Sequence, residues 1–264
     1  MRVALGLEYD GGAYSGWQSQ PGGNTVQDVL ETALGQVAGA GVRVSCAGRT
    51  DAGVHAWEQV VHFDTLAERP LSAWVRGTNT FLPPAVAVRW AQVVGGDFHA
   101  RFSALSRTYR YVLLNRSERP GVLAGKVGWC HRRLDLAAMR TAAACLPGEH
   151  DFSSFRAAGC QAKSPVKTLH SFEIARDGDL FLFDCRANAF LHHMVRNLVG
   201  ALVYVGMNRC SPEWFAQLLA ARDRRLGAPT FAPDGLYLAG VEYDKSWALP
   251  QQGRIMAILP FPAC

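Results

Sequence analysis

The chain has 264 residues, 49% of them hydrophobic and 19% charged, which exceeds the usual ~100–200 residues of one domain and excludes a disordered chain. Its longest uncharged apolar run, Asn197 to Asn208 between Arg196 and Arg209, falls short of the ~18 residues that span a bilayer, and the N-terminal Met1-Arg2-Val3-Ala4-Leu5-Gly6-Leu7-Glu8 meets charge too early for a signal peptide. Net charge is +5, and the seven cysteines are odd in number, widely spaced and without a C-x-x-C pair, so the reading is a soluble, cytoplasmic, reduced protein rather than a disulfide framework or a zinc knuckle.

In chain order, Val3, Leu5, Leu7 and Tyr9 alternate as a half-buried strand does. A Gly-rich loop from Asp10 to Gly23 follows, and Thr25 with Asp28 three residues on signals a helix start. Val26, Val29, Leu30, Ala33, Leu34 and Val37 give that helix one apolar face. Strand-like runs at Val42–Ala47 and Glu58–Phe63 flank the nonapeptide Gly48 to Ala56. A helix near Leu71–Asn79 and a strand near Ala85–Val93 complete a strand-helix-strand-strand-helix-strand series.

The second half roughly repeats it. A strand is expected over Arg107–Leu114 and a helix over Leu136–Leu146 after Asp135. Thr168–Arg176 and Leu180–Arg186 read as a hairpin across Asp177-Gly178-Asp179. Helices follow at Phe190–Val205 and Pro212–Ala221, then a last strand at Leu236–Tyr243. The Pro-rich Leu259-Pro260-Phe261-Pro262 reads as a tail. The expectation is an α+β fold of two split-βαβ halves, residues 1–103 and 104–264, with antiparallel sheets side by side and a central cleft.

The positive charge is local. Residues 97–133 hold eight basic and two acidic side chains, so the rest of the chain sums to about −1, and 23 of the 27 basic residues are arginine. Arginine grips phosphate bidentately and stacks on bases, so a nucleic acid is the natural partner for such a stripe. A solvated strand face is the plain alternative.

Several chemistries are excluded. Gly11 to Gly16 has the spacing of a P-loop, but Trp17 stands where the lysine belongs. G-x-S-x-G and H-E-x-x-H are absent. His192 and His193, read as part of the helix, lie about 100° apart and form no shared metal face. The nonapeptide differs: Gly48-Arg49-Thr50-Asp51-Ala52-Gly53-Val54-His55-Ala56 packs Arg, Thr, Asp and His into a tight loop. Asp51 is ionised near neutrality from its ordinary pKa of ~3.9, and a carboxylate held by arginine serves as base or nucleophile. An ordinary hairpin turn with an Arg–Asp pair fits the same residues.

That loop resembles the catalytic motif of the tRNA pseudouridine synthase A family. Further blocks carry the likeness along the chain: Leu7-Glu8-Tyr9-Asp10-Gly11, Asp97-Phe98-His99-Ala100-Arg101-Phe102-Ser103, Tyr109-Arg110-Tyr111, Asn188 to Asn197, and Gly235-Leu236-Tyr237-Leu238. The resemblance implies isomerisation of uridine to pseudouridine at positions 38, 39 and 40 of the tRNA anticodon stem-loop, with neither cofactor nor metal. It makes Asp51 the nucleophile, Arg196 its ion-pair partner from the other half, Tyr109 the active-site tyrosine and Leu236 the apolar residue beneath the base. Tyr111 shares the face of Tyr109 without a catalytic role. Arg49 matches the residue that assists base flipping, which costs ~a few kcal/mol of unstacking.

The same resemblance gives tRNA contacts to Phe98, His99, Ala100, Arg101 and Phe102, with Arg107 to Arg119 continuing along the RNA backbone, and to Gln161 and Lys163 in a further loop. Lys167 stands where relatives often have arginine, which keeps the charge and loses the planar fork. A homodimer is implied, with one tRNA lying across both subunits; no membrane is. Two rival readings are a non-catalytic RNA-binding protein of this fold and a metal-dependent RNA hydrolase using Asp51, His192 and His193.

Overall fold

The structure is a computed structural model that describes residues 1–250; the Pro-rich segment 259–262 and Cys264 lie outside the described residues. In chain order the elements are β1 (Arg2–Tyr9), α1 (Val26–Ala38), β2 (Ser45–Cys46), β3 (His55–Asp64), a π-helical turn (Ala73–Gly77) running into α2 (Thr78–Phe81), β4 (Val86–Val94), β5 (Ala104–Asn115), β6 (Gly128–Cys130), α3 (Leu136–Ala143), β7 (Gly148–Asp151), β8 (Val166–Asp177), β9 (Leu180–Ala187), α4 (Met194–Gly206), α5 (Pro212–Ala221) and β10 (Leu236–Tyr243). The fold is α+β, and the described residues divide into two compact units, residues 1–105 with 238–250, and residues 106–237. The sequence reading kept 104–264 together; in the structure the chain returns to the first unit at Leu238, where β10 pairs with β3.

In the first unit the strand order is β4-β1-β3-β10, with β2 also on β3. β1 is antiparallel to both β3 and β4, with Leu5 opposite Val61 and Ala91. Thr25 caps α1 by accepting the amide of Asp28, as its position suggested. Val26, Leu30, Ala33 and Leu34 are buried on α1, a face whose larger side chains contribute about 1.5–3 kcal/mol each. A second cluster gathers Ala4, Ala47, Val60, Trp90, Phe98 and Ala100, against which Tyr243 and Trp247 pack.

In the second unit the order is β5-β9-β8-β7, with β6 parallel to β5. β8 and β9 form the expected hairpin, and its turn carries Gly178 at φ 54°. Phe181 and Phe183 on β9, Leu198 and Leu202 on α4 and Phe215 on α5 are buried. Asn197 is buried beside them, donating to the carbonyl of Phe155 at 2.8 Å and accepting from Thr230 Oγ1 at 2.7 Å and Arg224 Nη2 at 3.1 Å. A buried amide with its hydrogen bonds made orients α4 without the cost of stranded polar atoms.

One helix boundary corrects the sequence reading. Helix α4 starts at Met194, not Phe190, because His193 is its N-cap in the left-handed region at φ 62°. A left-handed residue cannot continue a right-handed helix backwards, so Phe190 to His193 form a turn.

Candidate active site

Asp51 lies in the tight connection between β2 and β3, with Thr50 beneath it. Thr50 is buried, and its Oγ1 lies 2.8 Å from the hydroxyl of Tyr9, the last residue of β1. The Gln59 amide reaches Tyr9 Oη at 3.4 Å and donates to the Gly48 carbonyl at 2.6 Å, while Gly48 N donates back to Gln59 Oε1 at 3.3 Å. Burial pushes the Tyr9 phenol up, so its proton stays on oxygen. Three side chains thereby brace the start of the loop that carries Asp51, and none is exposed.

The Gly-rich loop holds the other side. Trp17 N donates to the Thr50 carbonyl at 3.0 Å, and Trp17 itself is buried. Gly16 sits at φ 99°, where a Cβ would lie 2.9 Å from the Thr50 carbonyl oxygen and 3.1 Å from the carbonyl carbon of Asp51; only glycine fits there. The Asp51 carbonyl accepts the amide of Val54 at 3.1 Å, closing the turn. Gly11 N donates to His55 Nδ1 at 3.0 Å, which fastens the Gly-rich loop to the start of β3. Asp51 is half-buried and Arg49 exposed, so this rigid frame presents the carboxylate at a partly covered surface.

The segment after β4 carries the first set of expected RNA contacts, and the structure sorts them. Phe98 and Ala100 are fully buried: the Phe98 ring packs on Tyr243 and Trp247 at 5.3 and 5.1 Å, and Ala100 O accepts from Tyr243 Oη at 2.6 Å. Their side chains anchor the segment instead of offering it to RNA. His99 is half-buried, and Arg101 and Phe102 are exposed. His99 Nδ1 accepts the amides of Arg101 at 3.1 Å and Phe102 at 3.4 Å, so a neutral imidazole shapes the turn. The His62 ring lies 4.6 Å from that of His99, and its Nδ1 accepts the Ala100 amide at 3.1 Å. Burial, with His99 and Arg2 beside it, pulls His62 down to about 4.

In the second unit Tyr109 on β5 is nearly buried, and its ring meets Phe190 edge-on, with centroids 4.9 Å apart and planes at 81°. Arg107, two residues earlier, is 8% exposed and donates to the Asn188 carbonyl at 3.0 Å. Arg110 forms a two-pronged pair with Asp184 at 2.6 and 2.7 Å. These two arginines therefore hold the sheet and the 188–193 turn together, which corrects the expectation that the whole stripe follows RNA. Tyr111 is buried, with its hydroxyl donating to Ala232 O at 2.8 Å. Burial, then Asp234, push its phenol up.

Arg196 sits in the first turn of α4, where its Nε donates to Phe231 O at 2.9 Å while Phe231 N donates to Arg196 O at 3.3 Å. That exchange fixes where the guanidinium points. Leu236 is buried just after Gly235, where a Cβ would lie 2.3 Å from the Val112 carbonyl oxygen. Gln161 and Lys163 are exposed on a loop that Arg156 shapes by donating to the carbonyls of Cys160 and Ala162 at 2.7 and 2.8 Å. Cys160 Sγ accepts the His192 amide at 3.4 Å. Burial opposes ionisation of that thiol, but backbone donors at Ala162 and His192 and the Arg156 charge hold it below its ordinary value. Lys167 donates to the carbonyls of Ser164 and Val166 at 2.6 and 2.7 Å, closing the far end of the loop.

His192 and His193 precede α4, and their ring centroids lie 4.0 Å apart with the planes tilted by 41°, so the helical separation expected for them does not apply. Two imidazoles supply half of a tetrahedral zinc set. The residues that sequence reasoning missed are Tyr9, Gln59, Phe190 and Asn197. A lone Gln within the apolar run Val60–Phe63 and its flank was the available signal for Gln59.

Residues 7–103 and 142–244 match the model of a family described as tRNA pseudouridine synthase. Among curated proteins, the chain is 62% identical to tRNA pseudouridine synthase A of Aromatoleum aromaticum, over 99% of each chain. It is 62% identical to that of Dechloromonas aromatica, over 95% of each. It is 64% identical to that of Chromobacterium violaceum, over 96% of this chain and 97% of the other. A chain of the solved Cbf5-Nop10-Gar1 complex aligns with a TM-score of 0.40 at 10% identity, over 89% of this chain and 48% of that one.

Proposed function

The chain belongs to the tRNA pseudouridine synthase family, and from that premise we propose that it isomerises uridine to pseudouridine in tRNA, at positions 38, 39 and 40 of the anticodon stem-loop, with Asp51 as the nucleophile. In that reaction the N1–C1′ bond breaks and a C5–C1′ bond forms. N1 gains a proton and C5 loses one, so nothing is oxidised or reduced.

The observation that carries the role of Asp51 is the frame around it. Tyr9, Thr50 and Gln59 fix the loop from below and Gly16 approaches it from the side, so the carboxylate is positioned before substrate arrives. Preorganisation of that kind lowers the barrier because no reorganisation is left for the moment of reaction. Arg196, its direction set by Phe231, is the arginine that the family resemblance assigns to the catalytic set. Tyr109 stacks on the uracil and assists loss of the C5 proton. Leu236 packs beneath the base.

The target uridine has to leave its stack, and Arg49, exposed beside Asp51, fills the vacated space. His99, Arg101, Phe102, Gln161 and Lys163 contact the RNA, the charged ones through phosphate. Two copies form a symmetric dimer, the commonest oligomer, with tRNA across both. The protein works in the cytoplasm, where its substrate is. Mapping pseudouridine by chemical derivatisation and primer extension on unmodified tRNA tests this reading: new stops at positions 38 to 40 support it, and stops elsewhere or none oppose it.

A further inference from the structure

We propose that the surface beyond the C-terminal end of β5, centred on Trp129, is a second RNA-binding surface that takes the sugar-phosphate backbone of tRNA outside the target stem-loop. Arg116, Trp129, His131, Arg132, Arg133 and Arg209 are all exposed. Hydrogen bonds bring them together. Trp129 Nε1 donates to Arg116 O at 2.9 Å, and the Trp129 and His131 rings lie 5.9 Å apart. Buried Asn115 donates to Cys130 O at 2.9 Å and Arg132 O at 2.6 Å and accepts the Leu134 amide at 3.1 Å, so the turn that carries Arg132 and Arg133 is rigid. The Asp135 amide donates to the Gly206 carbonyl at 2.8 Å, which brings the turn that carries Arg132 and Arg133 to the end of α4, three residues before Arg209.

Residues 116–134 contain one acid, Glu118, against Arg116, Arg119, Lys126, Arg132 and Arg133. Asp135 is the next acid and is engaged as the N-cap of α3. The β8–β9 turn brings Asp177 and Asp179 to the same end of β5, where the Asp179 carbonyl accepts the Asn115 amide at 2.7 Å. Arg116, Arg119, Lys126, Arg132, Arg133 and Arg209 outnumber the acids Glu118, Asp135, Asp177 and Asp179 and leave the surface net basic. Beside them stands an indole 38% exposed whose N–H is already committed, leaving its face for stacking. Arginines around an aromatic platform suit nucleic acid better than an apolar protein partner.

The surface is separate from the site of the chemistry. Tyr109 and Asn115 are six residues apart on β5, about 20 Å at ~3.3 Å per residue. A flipped nucleotide held at Tyr109 does not reach across that distance, so RNA on the Trp129 surface comes from another part of the tRNA.

This inference rests on the proposed tRNA activity, and the test separates the two. The KM for full-length tRNA is divided by the KM for an isolated anticodon stem-loop, for wild type, the R132E/R133E double variant and Trp129→Ala, with thermal unfolding as the folding control. The expected result is a ratio raised about tenfold by the charge reversals and about fivefold by Trp129→Ala, with a salt slope for full-length tRNA reduced by about 2 in the double variant. An unchanged ratio in folded variants, or an equal rise on both substrates, overturns the second surface. Failure of wild type to convert either RNA would instead oppose the tRNA activity.

Discussion

The hydroxyl of Tyr9 lies 2.8 Å from Oγ1 of Thr50, with both side chains buried, so the residue before Asp51 is tied to the end of the first strand. Removing that hydroxyl takes a partner from buried Thr50 Oγ1, while the Gln59 amide keeps its bond to the Gly48 carbonyl. Tyr9→Phe is expected to cost about 1–3 kcal/mol of stability and to lower kcat by about tenfold while tRNA affinity is kept. Urea unfolding and single-turnover kinetics read the two effects. A variant of wild-type kcat would show that the brace plays no part in positioning Asp51.

Two tyrosines on one face of β5 should behave differently. Tyr111 is buried and hydrogen-bonded to Ala232 O, so Tyr111→Phe is expected to lose about 1 kcal/mol of stability and to keep turnover. Tyr109→Phe is expected to keep stability and lose turnover by at least about a hundredfold. Denaturation midpoints beside initial rates decide it, and the reverse pattern would exchange the roles assigned here.

Arg101 is exposed, with its guanidinium 5.5 Å from the centre of the Phe102 ring. Arg101→Ala is expected to weaken tRNA binding and reduce the salt slope by about 0.7–0.9, the share of one phosphate contact. Titrations between 50 and 200 mM salt measure it, at the ~concentrations where counterion release is readily resolved. Arg107→Ala, by contrast, is expected to destabilise the protein, because Arg107 is buried against the Asn188 carbonyl.

His62 gives the first unit a pH dependence. Its folded pKa is about 4 against an ordinary 6.5, lowered by burial and then by His99 and Arg2, with Asp64 opposing. The unfolded chain therefore binds more protons between those values, and stability falls as pH drops from 6.5 towards 4. Protonating Nδ1 also sets a hydrogen against the Ala100 amide that it accepts. His62→Asn is expected to flatten the acid limb of a stability-versus-pH curve, and an unaltered limb would remove His62 as its source.

Much of the fold was legible because its signals are local. Thr25 and Ser211 cap α1 and α5 where the sequence places helix starts, and the Leu236–Tyr243 strand was bounded from its pattern. The misses are physical. Phe190 to His193 read as helix by composition, but a single left-handed residue, His193, postpones the helix to Met194. Val42 and Val44 are buried, yet only Ser45–Cys46 of that run pair with β3. β6 and β7 span three and four residues, too short to show a period. Asp51, Tyr109 and Arg196 stood out through motifs, whereas Tyr9, Thr50 and Gln59 meet only after folding, 41 to 50 residues apart. Charge alone could not say that Arg107 on β5 is buried while Arg101, in the turn before that strand, is exposed.

The most direct test of the account is tritium release from 5-tritiated uridine in unmodified tRNA, with wild-type and Asp51→Ala protein compared in the presence of EDTA. The account predicts release by wild type and none by Asp51→Ala, with tRNA affinity kept within about tenfold, because binding rests on phosphate contacts. Release by Asp51→Ala at the wild-type rate would contradict the role of Asp51. Wild-type release abolished by EDTA would favour metal-dependent chemistry, and tRNA binding without release would favour a non-catalytic RNA-binding protein.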